Sequence, residues 1–279
     1  MEQAPSNNDT IVLIGTGMGL KNQKAIADAL TGRGFQVEIL ENPHKNSIAS
    51  TENELSRKRK WPRDAYVYNK GQYYRVVDHG KPAEGGCVRV GNGYLMISDV
   101  ACDPGPEFNV HAETRQRIRE LVGEQAQAIY GPETKAYAVH SKGLKSRAGQ
   151  LREGHIDYHS CLLPNAKILL VDEKALKDDS YHRMAKAEGL TLIPYDQVND
   201  SDCEYPLNAL VVPDEGKDVV FYDKRAEGLT KILSKHGVEG IPIDITFEDD
   251  TDESGAINCS TNVRRAIDNV DSDYLLGLN

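Results

Sequence analysis

The feature that most constrains this fold is a recurring order of predicted elements: two strands, a helix, then a strand, at a spacing of roughly 50 residues. Short apolar runs between turn-forming residues predict strands, and apolar residues at helical period predict helices. The strands are predicted at residues 10–14, 35–40, 65–68, 72–77, 87–90, 94–97, 136–139, 155–163, 167–171, 191–194, 209–212, 218–222, 240–245 and 263–267, and the helices at 21–32, 113–130, 181–188 and 225–236. Such units either close into a ring with strand ends lining a central channel or stack as a layered α/β domain.

Turn-forming residues separate the paired strands. Asn69-Lys70-Gly71, Gly91-Asn92-Gly93 and Pro164-Asn165 each lie between two predicted strands, which predicts hairpins at these places. The repeats show no sequence similarity that can be aligned, so their equivalence depends on pattern alone. We expect one domain over residues 1–279, with the polar residues 1–9 disordered.

Composition limits the partners of this chain. Its 279 residues are 39% hydrophobic, which is enough for a sizeable core, and its formal net charge is −10. Nucleic acid is disfavoured as a partner because neutralising phosphates needs clustered Lys and Arg. A cationic small molecule or basic peptide is compatible with the charge.

Cysteine usage and the absence of long apolar runs predict a cytoplasmic protein. No apolar stretch approaches the roughly 20 residues of a membrane span, and the polar N-terminus is not typical of a signal peptide. The five cysteines are scattered and form no Cys-x-x-Cys pair. We therefore expect free thiols, neither a disulfide framework nor a zinc site, and no metal or other cofactor.

Two short segments carry the residue types of covalent catalysis. Gly154-His155-Ile156-Asp157 precedes an apolar run, and on a strand His155 and Asp157 would project from the same face. There His155 can exchange protons near neutral pH, and Asp157 can hold a cation or orient the imidazole. Cys259 follows small residues near the C-terminus, and its thiolate is a nucleophile. The alternatives are a surface strand and an inert buried cysteine.

An acidic segment, residues 247–253, comes just before Cys259. Its negative charge would raise the pKa of a neighbouring thiol, and a cationic substrate would offset this effect. We infer that Cys259 is poorly ionised until such a substrate binds. The alternative is a solvated acidic loop without a role in the site.

Two further motifs lie upstream. Trp61-Pro62-Arg63-Asp64 places an aromatic ring three residues before a carboxylate, and the two can hold a flat cation between them. Glu84-Gly85-Gly86 precedes a predicted strand. The alternatives are a packed strand cap and a surface glutamate.

A competing motif is Gly15-Thr16-Gly17-Met18-Gly19, between a strand and a helix, with Glu38 and Glu41 about 20 residues further on. This approaches the dinucleotide fingerprint, but the third glycine stands one position too early. The later strands also pair as hairpins, whereas a dinucleotide fold needs parallel crossovers. A plain glycine-rich turn is the alternative.

Taken in order, the four motifs resemble those of the guanidine-modifying (pentein) superfamily. That order is Trp-x-x-Asp, Glu-Gly-Gly, Gly-His-x-Asp and a late Cys in a Gly-rich strand, from about residue 9 to the end. The stretch Cys259-x-Thr261-Asn262-Val263-Arg264-Arg265 is similar to that of the protein-arginine deiminase catalytic domain, and Glu84-Gly85-Gly86 to agmatine and free-arginine deiminases. The resemblance implies a five-bladed α/β propeller, with pseudo-fivefold ββαβ repeats around a central channel.

The resemblance also implies site roles. Cys259 would attack the guanidinium carbon, Asp64 and Asp157 would bind the guanidinium nitrogens, and His155 would act as acid, then base. Trp61 and Glu84 would belong to the substrate site. The implied reaction is hydrolytic deimination to a ureido, citrulline-type product and ammonia through a covalent Cys thiouronium, which makes the enzyme a hydrolase of C–N bonds in linear amidines.

Some positions depart from the protein-arginine deiminases. Asn258 stands where they usually have His before the Cys, and Ser260 replaces their Gly. Ala65 and Val67 stand where the vertebrate enzymes bind calcium after Trp-x-x-Asp, so no calcium dependence is expected at that site. We expect a bare catalytic domain without the immunoglobulin-like N-terminal domains of the vertebrate enzymes.

We expect a cationic guanidinium substrate (arginine, agmatine or an arginyl peptide) and neither nucleic acid nor a membrane as partner, and we leave a homodimer open. The alternatives are an agmatine or free-arginine deiminase, an amidinotransferase in which an amine captures the same intermediate, and a nucleotide-binding protein that uses the 15–19 turn.

Overall fold

In the computed structural model, the described residues are 10–15, 20–40, 43–44, 47–48, 66–69, 72–75, 77–78, 81–82, 85–99, 135–141, 143–145, 149, 154–196, 200, 203–245, 257–258 and 261–265. They form four helices: α1 (Leu20–Gly32), α2 (Ile156–His159), α3 (Ser180–Glu188) and α4 (Glu227–Lys235). The strands are β1 (Thr10–Gly15), β2 (Gln36–Leu40), β3 (Pro43–His44), β4 (Ser47–Ile48), β5 (Tyr66–Asn69), β6 (Gln72–Arg75), β7 (Val77–Asp78), β8 (Lys81–Pro82), β9 (Val88–Val90), β10 (Tyr94–Ser98), β11 (Lys135–Val139), β12 (Ser160–Leu163), β13 (Ile168–Asp172), β14 (Thr191–Tyr195), β15 (Leu210–Asp214), β16 (Lys217–Asp223), β17 (Glu239–Ile243) and β18 (Thr261–Arg265).

In the part of the chain that the structure describes, four three-stranded sheets share one arrangement. Their strand orders are β18-β1-β2, β9-β10-β11, β12-β13-β14 and β15-β16-β17. The central strand of each pairs antiparallel with one neighbour and parallel with the other. A parallel neighbour needs a crossover connection, and α1, α3 and α4 are the crossovers of three sheets. The predicted helix at 113–130 lies outside the described residues.

The strand–strand–helix–strand pattern is thus confirmed in two complete units, β12-β13-α3-β14 and β15-β16-α4-β17. The predicted hairpins are confirmed as well, since β5 pairs with β6, β9 with β10 and β12 with β13, all antiparallel. Three smaller two-stranded sheets, β3-β4, β5-β6 and β7-β8, fall between residues 43 and 82.

The last strand completes the first sheet. β18 pairs antiparallel with β1, and Val263 lies opposite Val12. This pairing attaches the segment after Cys259 to the first strand of the chain. The predicted strand at 263–267 is observed two residues earlier, at Thr261–Arg265.

Three hydrophobic clusters of described residues each join two consecutive sheets. The first joins β9-β10-β11 to β12-β13-β14 through Met96 and Leu169. The second joins β12-β13-β14 to β15-β16-β17 through Leu170 and Val220. The third joins β15-β16-β17 to β18-β1-β2 through Phe221, which packs among side chains of β1 and α1. The four sheets are therefore packed one against the next in chain order, and the closed five-bladed ring stays a prediction.

The units also end their helices alike. Gly189 after α3 and Gly237 after α4 have φ of 63° and 66°, in the left-handed region that favours glycine. The next residue in each case donates its backbone N–H back to the helix, Leu190 to Ala185 at 2.8 Å and Val238 to Leu233 at 2.9 Å. After α1, Phe35 donates to Leu30 at 3.1 Å in the same way.

Candidate active site

The Gly154-His155-Ile156-Asp157 motif does not lie on a strand, so the predicted strand at 155–163 is wrong in its first half. His155 precedes the one-turn helix α2, and β12 starts only at Ser160. The Ser160 hydroxyl donates to the Ile156 carbonyl at 2.7 Å, which closes the turn. Gly154 has a φ of 84°, and its N–H donates to the Ser141 hydroxyl at 3.1 Å.

His155 and Asp157 lie side by side despite this change. The Nδ1 atom of His155 is 3.9 Å from Oδ1 of Asp157, and the His155 side chain is 24% exposed. The imidazole packs against the ring of Tyr158, with centroids 5.3 Å apart. Tyr158 in turn stacks on Tyr205 at 4.3 Å. The imidazole is therefore oriented by neighbours and still open on one side.

Asp157 is fully buried, and two asparagine amides hold its carboxylate. Asn208 Nδ2 donates to Oδ2 at 2.7 Å, and Asn258 Nδ2 donates to the same oxygen at 3.1 Å. The backbone N–H of Asn258 also donates to the Asn208 carbonyl at 3.2 Å. Buried polar groups need such partners, and these bonds fix the plane of the carboxylate.

Arg89 is hydrogen-bonded to groups on both sides of this carboxylate network. It is 4% exposed. Its guanidinium donates to the Asn258 side-chain oxygen and to the backbone oxygens of Asp157, at 3.2 Å, and Ser160, at 2.9 Å. The two carbonyl bonds hold the backbone of α2 and so help to explain why this segment is helical.

Gly86 of the Glu84-Gly85-Gly86 motif lies against the same pair. A Cβ atom at Gly86 would be 2.6 Å from His155 Nδ1 and 2.8 Å from Asp157 Oδ1, which is closer than atoms can pack. Glycine is therefore required here by close approach, with Gly85–Cys87 forming a 3₁₀ turn before β9. In the sequence this motif was related to the start of a strand and, by resemblance, to a substrate site at Glu84, but the contact of Gly86 with His155 and Asp157 was not predicted.

Several predicted site residues, Trp61, Asp64, Glu84 and Cys259, lie outside the described residues, as does the acidic segment 247–253. Near Cys259, the described residues are Ile257 and Asn258 before it and Thr261 two positions after it. Asn258 is held by Arg89, Asp157 and Asn208, and the Thr261 hydroxyl donates to the Ile257 carbonyl at 2.8 Å.

The expectation of free thiols is correct for two cysteines and wrong for a third. Cys161 and Cys203 are free and buried. Burial raises the pKa of the Cys203 thiol to about 12, which keeps it protonated. Cys87 is disulfide-bonded. Sequence spacing alone does not reveal this pairing.

Sequence reasoning did not single out Arg89 or Asn208. Arg89 had one weak signal, a charged residue inside an apolar strand, and a buried charge requires partners. Asn208 had none. Asn258 was noted only as a departure from the protein-arginine deiminases.

The described residues offer little support for a metal site, a membrane span or a dinucleotide site. They contain no cluster of three or more His, Cys, Asp or Glu side chains that could hold a metal ion. None of their helices is long and apolar enough to cross a membrane. Residues 16–19 of the glycine-rich turn lie outside them, and β1 has antiparallel β18 on its other side. That pairing does not fit the parallel sheet of a dinucleotide fold.

No protein-family model matches the chain, and no curated protein matches it. Solved structures do. An inosamine-phosphate amidinotransferase from Streptomyces griseus matches with a TM-score of 0.58 and 15% identity, over 95% of this chain and 95% of that one. DDAH from Pseudomonas aeruginosa, complexed with citrulline, matches with a TM-score of 0.53 and 10% identity, over 92% and 99%.

The chain has the pentein fold. A cyanobacterial arginine dihydrolase matches as well, with a TM-score of 0.53 and 11% identity, over 93% of this chain and 40% of that longer one. The resemblance found in the sequence is thus confirmed for the pentein fold. The mixed α/β class with small sheets is likewise confirmed. Identities this low leave the reaction and the substrate to be proposed.

Proposed function

We propose that the protein hydrolyses an arginine-type guanidinium group to a ureido product and ammonia. The observation that supports it is the convergence at Asp157 of three segments far apart in sequence. Gly86 lies against the carboxylate, His155 lies beside it, and Asn258 donates to it. Asn258 directly precedes Cys259. A nucleophile, an acid–base group and an anion for a cationic substrate would then share one site.

The chemistry uses Cys259 and His155 in two steps. The Cys259 thiolate adds to the guanidinium carbon, and the C–N bond breaks as His155 gives a proton to the departing ammonia. A covalent thiouronium remains on the sulfur. Water then adds to that carbon while His155 takes one of its protons. The C–S bond breaks to release the thiolate and a protonated ureido product, which loses its extra proton to solvent. One difficult hydrolysis is thus divided into two easier steps.

Asp157 and Asp64 would bind the guanidinium nitrogens by charge-assisted hydrogen bonds. Oδ2 of Asp157 already accepts two amide donors, whereas Oδ1 faces His155 and Gly86. The substrate would therefore approach Oδ1 along the open side of His155. Trp61 and Glu84 would complete the substrate site.

Two related reactions remain as alternatives, amidino transfer and deimination of agmatine or free arginine. One structural neighbour is named as an amidinotransferase. The 24% exposure of the His155 side chain supports hydrolysis, because water can reach the imidazole. In transfer, an amine would have to capture the thiouronium before water does.

We also propose that this series of four packed sheets closes into the five-bladed propeller. The missing blade would come from the residues between β2 and β9, where the three two-stranded sheets lie. The pseudo-fivefold channel would then open at the His155 site.

A colorimetric ureido assay tests the function on free arginine, agmatine, a blocked arginine ester and an arginyl peptide. We expect product from at least one of these. We expect none from Cys259→Ser, and a loss of about 100- to 10,000-fold with His155→Ala. Cys203→Ala and the exposed His182→Ala are the matched controls. Absence of ureido product from every substrate would overturn the proposal.

Two additions to the same assay refine the result. A primary amine acceptor tests transfer, and a guanidino product in place of a ureido product would favour it. A calcium titration tests the substitutions at Ala65 and Val67, where we expect no activation. Strong activation by calcium would contradict that expectation.

A further inference from the structure

We propose that Asn258 is a positioning residue that ties the backbone directly before Cys259 to Asp157, and that Arg89 sets which end of the Asn258 amide makes this tie. The inference rests on the proposed function and adds to it two residues that the motifs did not contain. Both side chains are buried, with exposures of 0% for Asn258 and 4% for Arg89.

The direction follows from hydrogen-bond chemistry. A guanidinium group can only donate, so the Asn258 atom that faces Arg89 has to be its oxygen. The amide nitrogen must then face the other way, where it donates to Asp157 Oδ2 at 3.1 Å. Arg89 thereby determines which end of the Asn258 amide meets the carboxylate.

The tie also includes the main chain. The Asn258 N–H donates to the Asn208 carbonyl at 3.2 Å, and Asn208 Nδ2 donates to Asp157 Oδ2 at 2.7 Å. Side chain and backbone of Asn258 are therefore both fixed relative to one carboxylate. Because Cys259 is joined to Asn258 by a peptide bond, these hydrogen bonds fix the residue from which the chain continues to Cys259.

The arrangement needs a side chain at 258 with one acceptor and one donor. An asparagine amide has both, and so does a neutral imidazole. This explains on chemical grounds how Asn can stand where the protein-arginine deiminases usually have His. An ionised carboxylate has acceptors only, and it would meet Asp157 with like charge.

The decisive variants are therefore Asn258→Asp, which keeps the shape and loses the donor, and Asn258→His, which changes the shape and keeps donor and acceptor. We expect Asn258→Asp to lower kcat/KM by about 100-fold, with a rise in KM and a fall in kcat. We expect Asn258→His to retain more activity than Asn258→Asp. Asn92→Asp, at an exposed turn, is the matched control.

Arg89 is tested in the same assay by Arg89→Met and Arg89→Lys. We expect Arg89→Met to lower kcat/KM and Arg89→Lys to restore part of it, because the lysine still donates to the Asn258 oxygen. Arg183→Met, in an exposed pair with Asp179, is the control. The urea unfolding of Arg89→Met, Asn258→Ala and the double variant should be strongly non-additive, since both residues belong to one chain of bonds.

The outcomes separate the two proposals. If the wild type makes no ureido product, the proposed function fails. In that case, additive changes in the free energy of unfolding for Arg89→Met and Asn258→Ala would overturn the proposed tie as well. If the wild type is active, either of two results overturns the positioning role of Asn258. One is a folded Asn258→Asp variant with wild-type kcat/KM, and the other is a folded Asn258→Asp variant whose kcat/KM exceeds that of folded Asn258→His. Should Asn258→His not fold, as judged by its melting transition, the comparison of Arg89→Met with Arg89→Lys decides in its place.

Discussion

The side-chain amide of Asn258 donates to the carboxylate of Asp157 at 3.1 Å, although 101 residues separate them along the chain. This contact connects the residue before Cys259 to the Gly-His-x-Asp motif. It exists because β18 returns to pair with β1, which brings the C-terminal segment back to the other sheets. The first sheet and the candidate site therefore both depend on the pairing of β18 with β1.

Gly86 should be intolerant of any side chain. We expect Gly86→Ala to lower kcat/KM of ureido formation by about 100-fold, because its Cβ has to displace His155 or Asp157. Steady-state kinetics on the best substrate would measure this. Gly32→Ala is the matched control, since no atom lies within 4 Å of its Cβ position. Equal activities for the two variants would contradict the close approach.

Thiol reactivity should distinguish Cys259 from the buried cysteines. Cys161 and Cys203 are 1% and 2% exposed, and the raised pKa of Cys203, about 12, leaves it protonated at neutral pH. We expect iodoacetamide to label the peptide of Cys259 first in the native protein. We also expect a bound guanidinium analogue to lower the pH midpoint of that labelling. A midpoint unchanged by the analogue would argue against activation by the cation.

The disulfide of Cys87 provides a separate test. The proposed function needs a free thiol at Cys259, so we expect the disulfide of Cys87 not to include Cys259. Peptide mapping of the unreduced protein by mass spectrometry would identify the pair directly. A Cys87–Cys259 peptide would contradict this expectation, because the nucleophile would then be blocked until reduction.

The left-handed glycines after α3 and α4 should matter for stability and not for chemistry. We expect Gly189→Ala to lower the free energy of unfolding by about 1–2 kcal/mol, because φ is 63° and an alanine is strained there. No atom lies within 4 Å of the added Cβ, so the cost is conformational. Urea unfolding would measure it, with Gly32→Ala as control. Equal stabilities would contradict this explanation.

Much of the fold could be predicted from local pattern. Glycine and asparagine turns such as Gly91-Asn92-Gly93 correctly predicted the hairpins. Apolar residues at helical spacing predicted α3 and α4 with nearly correct bounds. A repeat signal was also present and was missed: Gly189-Leu190 and Gly237-Val238 both end a helix, and Ile-Pro follows three residues later in each unit. Only the structure shows that these positions are equivalent.

The one-turn helix α2 could not be predicted, because its cause is tertiary. Arg89, far away in sequence, binds the backbone oxygens of Asp157 and Ser160. Local propensity contains no such information, and the apolar run that follows favours a strand.

The candidate site was predictable only where a motif marked it. His155, Asp157 and Gly86 belong to motifs, and the structure brings these three together. Arg89 and Asn208 act through hydrogen bonds across sheets, which have no spacing rule in the sequence. The roles of Trp61, Asp64, Glu84 and Cys259 stay predictions.

The most direct test of the central claim is ureido formation in ¹⁸O-labelled water, followed by mass spectrometry of the product, for wild type and Cys259→Ser. We expect one labelled oxygen in the ureido product of the wild type, because water completes the reaction at the former guanidinium carbon. We expect no product from Cys259→Ser. Unlabelled product, no product from the wild type, or equal product from Cys259→Ser would contradict the account.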